Sequence, residues 1–302
     1  DKLELNSALF YIKGKGYLKG FLRFFKKFYD ELFKESKKCQ PQKNEEIVLF
    51  ANTKNQDDVL RPIYKSLDNV VFYGLNQYGN CQLNLEGAYL ISFLFFLPKI
   101  IKEVIFSKGI IRKAFRYRFD WMWLSFGYYA YCNSFLKVLN IKMLVVANDH
   151  TLYPKGITFA ALDNDITTIY IQHASITSNF PKLRFQFAFL DGMDSLKKYD
   201  EIGSETNTLV FLTGISKFDG NYSINSNKRA VNFGICTNTL DELEYVENLL
   251  KNLQNEKKIE LYLRPHPADN RYIRWQDLSK KYHRYFSYSK NKKIEDFITK
   301  ID

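Results

Sequence analysis

Three of the four histidines stand in short polar clusters, each placed directly after an apolar run that reads as a buried strand. Asn148-Asp149-His150 follows residues 143–147, Gln172-His173 follows 168–171, and Arg264-Pro265-His266-Pro267 follows 259–263. The carboxyl ends of parallel strands form the crevice in which open α/β sheets bind ligands. Titratable side chains delivered there by three separate strands are what a site assembled from distant parts of a chain requires. Chemistry on an anionic substrate is the first expectation.

Each cluster has a chemical and a structural reading. Asp149 can act as general base toward a hydroxyl, with His150 orienting it or sharing its charge. Asp149 or Thr151 can equally cap a helix that begins at Tyr153-Pro154. His173 can meet a phosphate or carboxylate while Lys182 and Arg184 neutralise charge, or it can be an ordinary loop histidine. In Arg264-Pro265-His266-Pro267 the prolines remove two N–H donors and stiffen the turn. Arg264 and His266 then project in fixed directions, and a guanidinium plus an imidazole suits a phosphate. Gly234, Thr237 and Asn238 precede a helix and can form an anion-accepting turn, although Thr239 can serve simply as that helix's N-cap. Beside Arg264 and His266 they would complete a diphosphate or nucleoside-phosphate pocket. His283, between Tyr282 and Arg284, reads as solvated.

No G-x-G-x-x-G, Walker A or G-x-S-x-G element is present, and no His, Cys or carboxylate set has metal-ligand spacing. Metal-independent chemistry without a cofactor is the expectation. The four cysteines are scattered, which reads as a reduced, cytoplasmic protein.

The elements that must position these residues follow from hydrophobic periodicity. From Glu46 onward apolar runs alternate with helical patterns, the rhythm of a parallel, doubly wound sheet. Strands are expected at 47–51, 70–73, 143–147, 167–171, 185–190 and 209–212. Helices are expected at 56–67, 153–162 and 194–199, with a long helical region over 90–139 broken near Pro98 and Gly109. Residues 216–228, rich in Ser, Asn and Gly, read as a linker. A second series then starts afresh, with strands at 230–233, 259–263 and 285–288 and helices at 240–253, 272–282 and 294–301. The expected domains are therefore 1–45, an N-terminal helical segment; 46–225, an acceptor domain; and 226–302, a nucleotide-donor domain that stops without a closing strand. Asp1 opens the chain with no initiator methionine and no signal peptide, which reads as an excised fragment.

The 302 residues carry a formal net charge of +11, 46% hydrophobic and 17% aromatic residues. This composition excludes disorder and favours anionic partners without choosing among them. No apolar stretch approaches the roughly 20 residues of a membrane span. Residues 9–33 interleave aromatics with Lys19, Arg23, Lys26 and Lys27 at helical spacing. That pattern describes either an amphipathic helix in contact with an anionic inner-membrane surface or one docked on the body.

YIQHASITSNFPKLRFQFAFLDGMDSLKKY (170–199), preceded by ANDHTLYPKG (147–156) and followed by LYLRPHP (261–267), resembles bacterial surface-polysaccharide glycosyltransferases of the GT-B fold. The likeness is to capsule and lipopolysaccharide enzymes using CMP-linked sugars, such as Kdo and sialic acid transferases. More distantly, it extends to teichoic-acid polyol-phosphate transferases. It implies two Rossmann-like domains facing a cleft, with Arg264 and His266 on the donor phosphate and Asp149 near the acceptor or anomeric carbon. A nucleotide-sugar donor and a polysaccharide or lipid-linked glycan acceptor are the implied partners. These families carry a later Ser-Ser element and a glutamate, neither of which falls before Asp302. A CDP-glycerol or CDP-ribitol phosphotransferase would use the same phosphate clamp. A non-enzymatic basic module bound to a membrane is the third reading; nucleic-acid-binding motifs are lacking.

Overall fold

The computed structural model describes residues 16–35, 45–178, 180–204, 207–216, 231–239, 241–253, 259–287 and 294–301. The expected linker over 216–228 and the helix over 9–33 fall partly outside these residues. The chain divides into two compact units, Asp1–Asp219 and Gly220–Asp302, each an α/β unit on a parallel sheet.

The first unit runs α1 (Gly16–Leu32), β1 (Ile47–Ala51), α2 (Lys54–Ser66), β2 (Val70–Gly74), β3 (Cys81–Gln82), α3 (Glu86–Phe106), α4 (Gly109–Leu139) and β4 (Met143–Val146). It continues through α5 (Leu152–Leu162), β5 (Thr167–Ile171), β6 (Phe187–Leu190), α6 (Met193–Ile202) and β7 (Leu209–Leu212). Its seven strands lie in the order β3-β2-β1-β4-β5-β6-β7, all parallel. Strand order reverses between β1 and β4, whose register pairs Ile47 with Met143 and Phe50 with Val146. β1 and β4 are covered on both faces, which is why they read as unbroken apolar runs. Val48, Phe50, Leu144 and Val146 pack toward α1, α3, α4 and α5. Leu49, Ala51, Val145 and Ala147 pack against α2.

The helical layer differs from expectation in detail. Pro98 lies inside α3 without ending it; it sits on the exposed side of the helix, where solvent can replace the lost hydrogen bond. α4 bends instead at Arg118 (φ −132°, ψ 43°) and ends at Asn140 in the left-handed region. Gly127 lets α3 and α4 touch, because a Cβ there would stand 2.0 Å from Ser92 Oγ. α1 docks on this pair: the Phe24 ring stacks on Trp123 at 3.9 Å, and buried Asp120 pairs with Arg23 and Lys27. Cys81 is disulfide-bonded, against the expectation of reduced thiols; spacing along a chain does not reveal which cysteines meet. Cys132 and Cys236 are free.

The second unit comprises β8 (Asn232–Thr237), α7 (Leu243–Asn252), β9 (Glu260–Pro265), α8 (Tyr272–Lys281), β10 (Tyr285–Phe286) and α9 (Glu295–Ile298). Its strands lie in the order β10-β9-β8, again parallel. Leu261, Leu263, Val246, Leu250 and Trp275 make its core.

Candidate active site

Asn148, Asp149 and His150 leave β4 at the carboxyl edge of the first sheet, beside the point where strand order reverses. In doubly wound sheets that crevice is where ligands bind. Asn148 is the residue that orders the turn. Its Oδ1 accepts hydrogen bonds from the backbone N–H of His150 (3.0 Å) and Thr151 (2.9 Å) and from the Thr151 hydroxyl (3.0 Å). Thr151 is the N-cap residue of α5, as the sequence allowed, but no side chain caps the helix; Asn148 instead orders the turn ahead of it.

The Asp149 carboxylate is buried, and both of its oxygens are engaged. His150 Nδ1 stands 3.0 Å from Oδ1, and the Tyr199 hydroxyl donates to Oδ2 at 3.1 Å. Burial is the first cause that raises the Tyr199 hydroxyl above its ordinary pKa, followed by the neighbouring Tyr170 and Asp149; Tyr199 therefore stays a donor. The His150 side chain is 32% exposed against 2% for Asp149. With Nδ1 carrying the proton toward Asp149, the lone pair of Nε2 faces outward. Among the described residues Nε2 has only a long contact, 3.5 Å, to the Asn148 amide nitrogen. Phe180 meets the imidazole edge-on at 4.7 Å. A buried carboxylate that orients a half-exposed imidazole is the arrangement by which a histidine becomes a directed base. Sequence reasoning gave Asp149 the proton-taking role and His150 the supporting one; in the fold Asp149 is the buried member of the pair and His150 the one nearer solvent.

His173, beyond β5, faces His150 with ring centroids 6.4 Å apart and planes 20° from parallel. Its neighbour Gln172 is structural: Oε1 accepts from Asp191 N–H, and Nε2 donates to Ala174 O and Ser195 Oγ. Gln172 thereby ties the carboxyl ends of β5 and β6 to α6.

Lys182 and Arg184 are not part of this cluster, contrary to expectation. The 172–186 segment is a crossover that returns from the carboxyl end of β5 to the amino end of β6, so its last residues reach the opposite edge. Leu183 bridges to Ser204 past the end of α6, Lys182 lies against Gly203, and Arg184 stacks over Phe159 at 4.7 Å.

In the second unit Thr237 ends β8 and Arg264 is the penultimate residue of β9, at the carboxyl edge of that sheet. Arg264 is buried, donates to Ser287 Oγ at 3.3 Å and lies over the Phe297 ring at 5.6 Å. His266 is exposed, and its Nδ1 accepts the Ala268 N–H at 3.1 Å, which leaves Nε2–H as an outward donor. Thr237 Oγ1 is buried without a hydrogen-bond partner among the described residues. Asn238 N–H donates to Asp241 Oδ2 at 2.6 Å.

Gly234 departs from its expected place in a turn. β8 extends to Thr237, so Gly234 is mid-strand, opposite Tyr262. A Cβ there would meet Phe297 at 2.7 Å and Ile301 at 2.8 Å; the glycine makes room for α9 instead of receiving an anion. The pattern ahead of Thr237 had too few apolar residues for sequence reading to extend the strand through it.

Sequence reading also missed Tyr199, Asp269 and Arg271. Arg271 donates to the carbonyls of Asp241 (2.7 Å) and Thr239 (2.9 Å), bracing the loop that precedes α7. Asp269 holds Arg271 at 2.7 Å and accepts the Trp275 indole N–H at 3.0 Å; the Arg271 guanidinium chiefly lowers its pKa to about 2. The acidic-basic pair Asp269 and Arg271, just past the proline turn, was a usable signal. Tyr199 had none, being remote in sequence from Asp149.

A cavity of about 450 Å³ lies between α1, the loop after β2, α3 and the first turn of α5, lined by Lys27, Glu31, Lys34, Asn76, Tyr89 and Tyr153 among others. Neither His150 nor His173 lines it, so the geometry of the Asp149 cluster, and not the size of this cavity, marks the candidate site.

No family model matches the chain, and no curated protein does. Among solved structures it is similar to UDP-GlcNAc 2-epimerase from Neisseria meningitidis bound to UDP-GlcNAc, at 12% identity and TM-score 0.44 over 80% of this chain and 71% of that one. It is also similar to the lipopolysaccharide outer core galactosyltransferase WaaB in apo form, at 9% identity and TM-score 0.42 over 80% and 68%. MurG from Acinetobacter baumannii follows at 11% identity and TM-score 0.36 over 80% and 66%. At such scores these likenesses assign no activity to this chain.

Proposed function

We propose that this chain is a glycosyltransferase of GT-B type that moves a sugar from a nucleotide-activated donor to a surface-polysaccharide or glycolipid acceptor. The observation that carries the reading is the buried Asp149 held between Tyr199 and the half-exposed His150 at the sheet's switch point. His150 Nε2 takes the proton of an acceptor hydroxyl while that oxygen attacks the anomeric carbon. The bond from the anomeric carbon to the nucleotide phosphate oxygen breaks, and its electron pair leaves with the phosphate. Asp149 steadies the imidazolium that forms, as carboxylates do for catalytic histidines. On the second unit, His266 Nε2–H and Arg264 are the candidates for holding a nucleotide phosphate. The sequence resemblance to CMP-sugar transferases favours CMP-linked Kdo or sialic acid as the proposed donor class.

The test is a thermal-shift screen of the full chain against CMP, CDP, UDP and GDP, followed by transfer assays with the matching sugars. A selective upward shift with CMP supports the donor assignment. Normal turnover in Asp149→Ala defeats the catalytic one. Product mass separates sugar transfer from polyol-phosphate transfer, since both release CMP.

A further inference from the structure

α1 and α3 each show solvent an apolar stripe at the same spacing. On α1 it runs Leu18, Leu22, Tyr29 and, just past the helix end, Phe33; on α3 it runs Leu90, Leu94, Ile101 and Ile105. Both sets fall at i, i+4, i+11 and i+15, which places them along one side of a helix. Each stripe is about 22 Å long at 1.5 Å per residue. Neither is the face that holds its helix to the body: α1 buries Gly20 and Phe24, and α3 buries Ala88, Tyr89, Ser92 and Ile100.

The stripes are neighbours. Phe25, between Leu22 and Tyr29, contacts Phe93 of α3 with ring centroids 5.7 Å apart, so they form one continuous surface. Leu94 is 62% exposed, Ile101 51% and Phe95 72%, and contiguous apolar exposure of this kind marks an interaction surface.

The charge around the patch selects its partner. Between residues 99 and 116 stand Lys99, Lys102, Lys108, Arg112, Lys113 and Arg116, all exposed, against a single acid, the half-buried Glu103. On α1 Lys19 and Lys26 are exposed beside the stripe, while the acids Asp30 and Glu35 are exposed at its far end by Tyr29 and Phe33. A protein partner of matching shape would have to present a dense acidic rim around an apolar centre. A bilayer with anionic headgroups offers both at once: acyl chains for the Leu and Ile side chains, and negative charge for the lysines. Among the described residues no helix is long and apolar enough to cross a membrane, so the contact is with its surface.

We infer that the joined outer faces of α1 and α3, with the basic start of α4, form a docking face for an anionic lipid bilayer. The aromatic residues of α1 expected to enter a membrane are divided by the fold: Phe24 anchors the helix to Trp123, and the outer row meets lipid together with α3. The patch lies apart from His150 and Asp149, and the inference does not depend on the proposed transfer reaction.

The experiment is co-sedimentation of the full chain with vesicles of phosphatidylcholine alone or mixed with phosphatidylglycerol, at low and raised salt. The chain binds the phosphatidylglycerol vesicles, and raised salt weakens that binding. The double substitution Leu94→Glu with Ile101→Glu lowers it tenfold or more with an unchanged melting temperature. Lys102→Glu with Arg112→Glu lowers it on anionic vesicles and leaves the residual binding to neutral ones as it was. Equal binding to both vesicle types, or full binding by the Leu94→Glu, Ile101→Glu protein, overturns the inference. So does an absence of vesicle binding in a chain that runs as a dimer and is split by those same substitutions, which would make a second copy the occupant.

Discussion

At the carboxyl edge of the first sheet, buried Asp149 is held by Tyr199 and by the imidazole of His150, a ring with one donor and one acceptor nitrogen when neutral. At the carboxyl edge of the second, buried Asp269 is held by Arg271 and Trp275, neither of which exchanges a proton near neutral pH. Both carboxylates are hidden and doubly bonded, so burial does not distinguish them; the partner does. On the function proposed above, an Asp beside a half-exposed imidazole makes a device for moving protons. An Asp beside a guanidinium that itself clasps three loop carbonyls makes a brace.

The comparison fails at its strongest point if His150 can be dispensed with. His150→Ala is expected to lower turnover about 10³-fold, within the range for loss of a general base, with the melting temperature kept. Release of CMP from a CMP-sugar measures it, and retention of more than a tenth of the activity would make the first cluster a brace as well.

Asp269→Asn is expected to cost stability and not chemistry, roughly 3 kcal/mol by urea unfolding at pH 7, as for breaking a buried pair. The sign with pH follows from the depressed pKa. The folded state holds Asp269 ionised down to about 2, against an ordinary value of 3.8, so its contribution is full above pH 4. It is lost as pH falls from there through about 2, and the wild type and the Asp269→Asn variant should converge in that window. A gap that stays constant from pH 7 to pH 2 would remove the ion pair from the explanation.

Tyr199→Phe removes one of the two bonds to Asp149 while keeping the ring, and about tenfold lower turnover is expected, near 1.4 kcal/mol for one hydrogen bond to a charged group. A Tyr199→Phe, His150→Ala double variant that loses no more turnover than His150→Ala alone would show that the hydroxyl acts through the Asp149–His150 pair. Lys182→Ala sharpens the contrast from the other side: at the amino edge of the sheet it should leave turnover unchanged.

Much of the fold was legible before any coordinates. The apolar runs at 47–51, 143–147 and 167–171 became β1, β4 and β5, because strands covered on both faces must be apolar throughout. β3 escaped notice, since two residues paired to the edge of β2 leave no periodic signature. The end of β8 was misplaced, and with it Gly234, because a mid-strand glycine and a cysteine look like a turn when the helix packed over them is unknown.

The polar clusters after β4, β5 and β9 could be found from residue types alone, because a hydrophobic run ending in Asp-His or Arg-Pro-His is a local pattern. Their division of labour could not. Which of Asp149 and His150 is buried depends on Tyr199, 50 residues away, and on the strand order that sets β4 beside β1. Lys182 and Arg184 share a stretch of sequence with His173 and lie at the other end of the sheet, because a crossover must travel the full length of a strand. Local chemistry is written in the order of residues; burial, partnership and which edge a side chain reaches come from packing between segments that the chain order keeps apart.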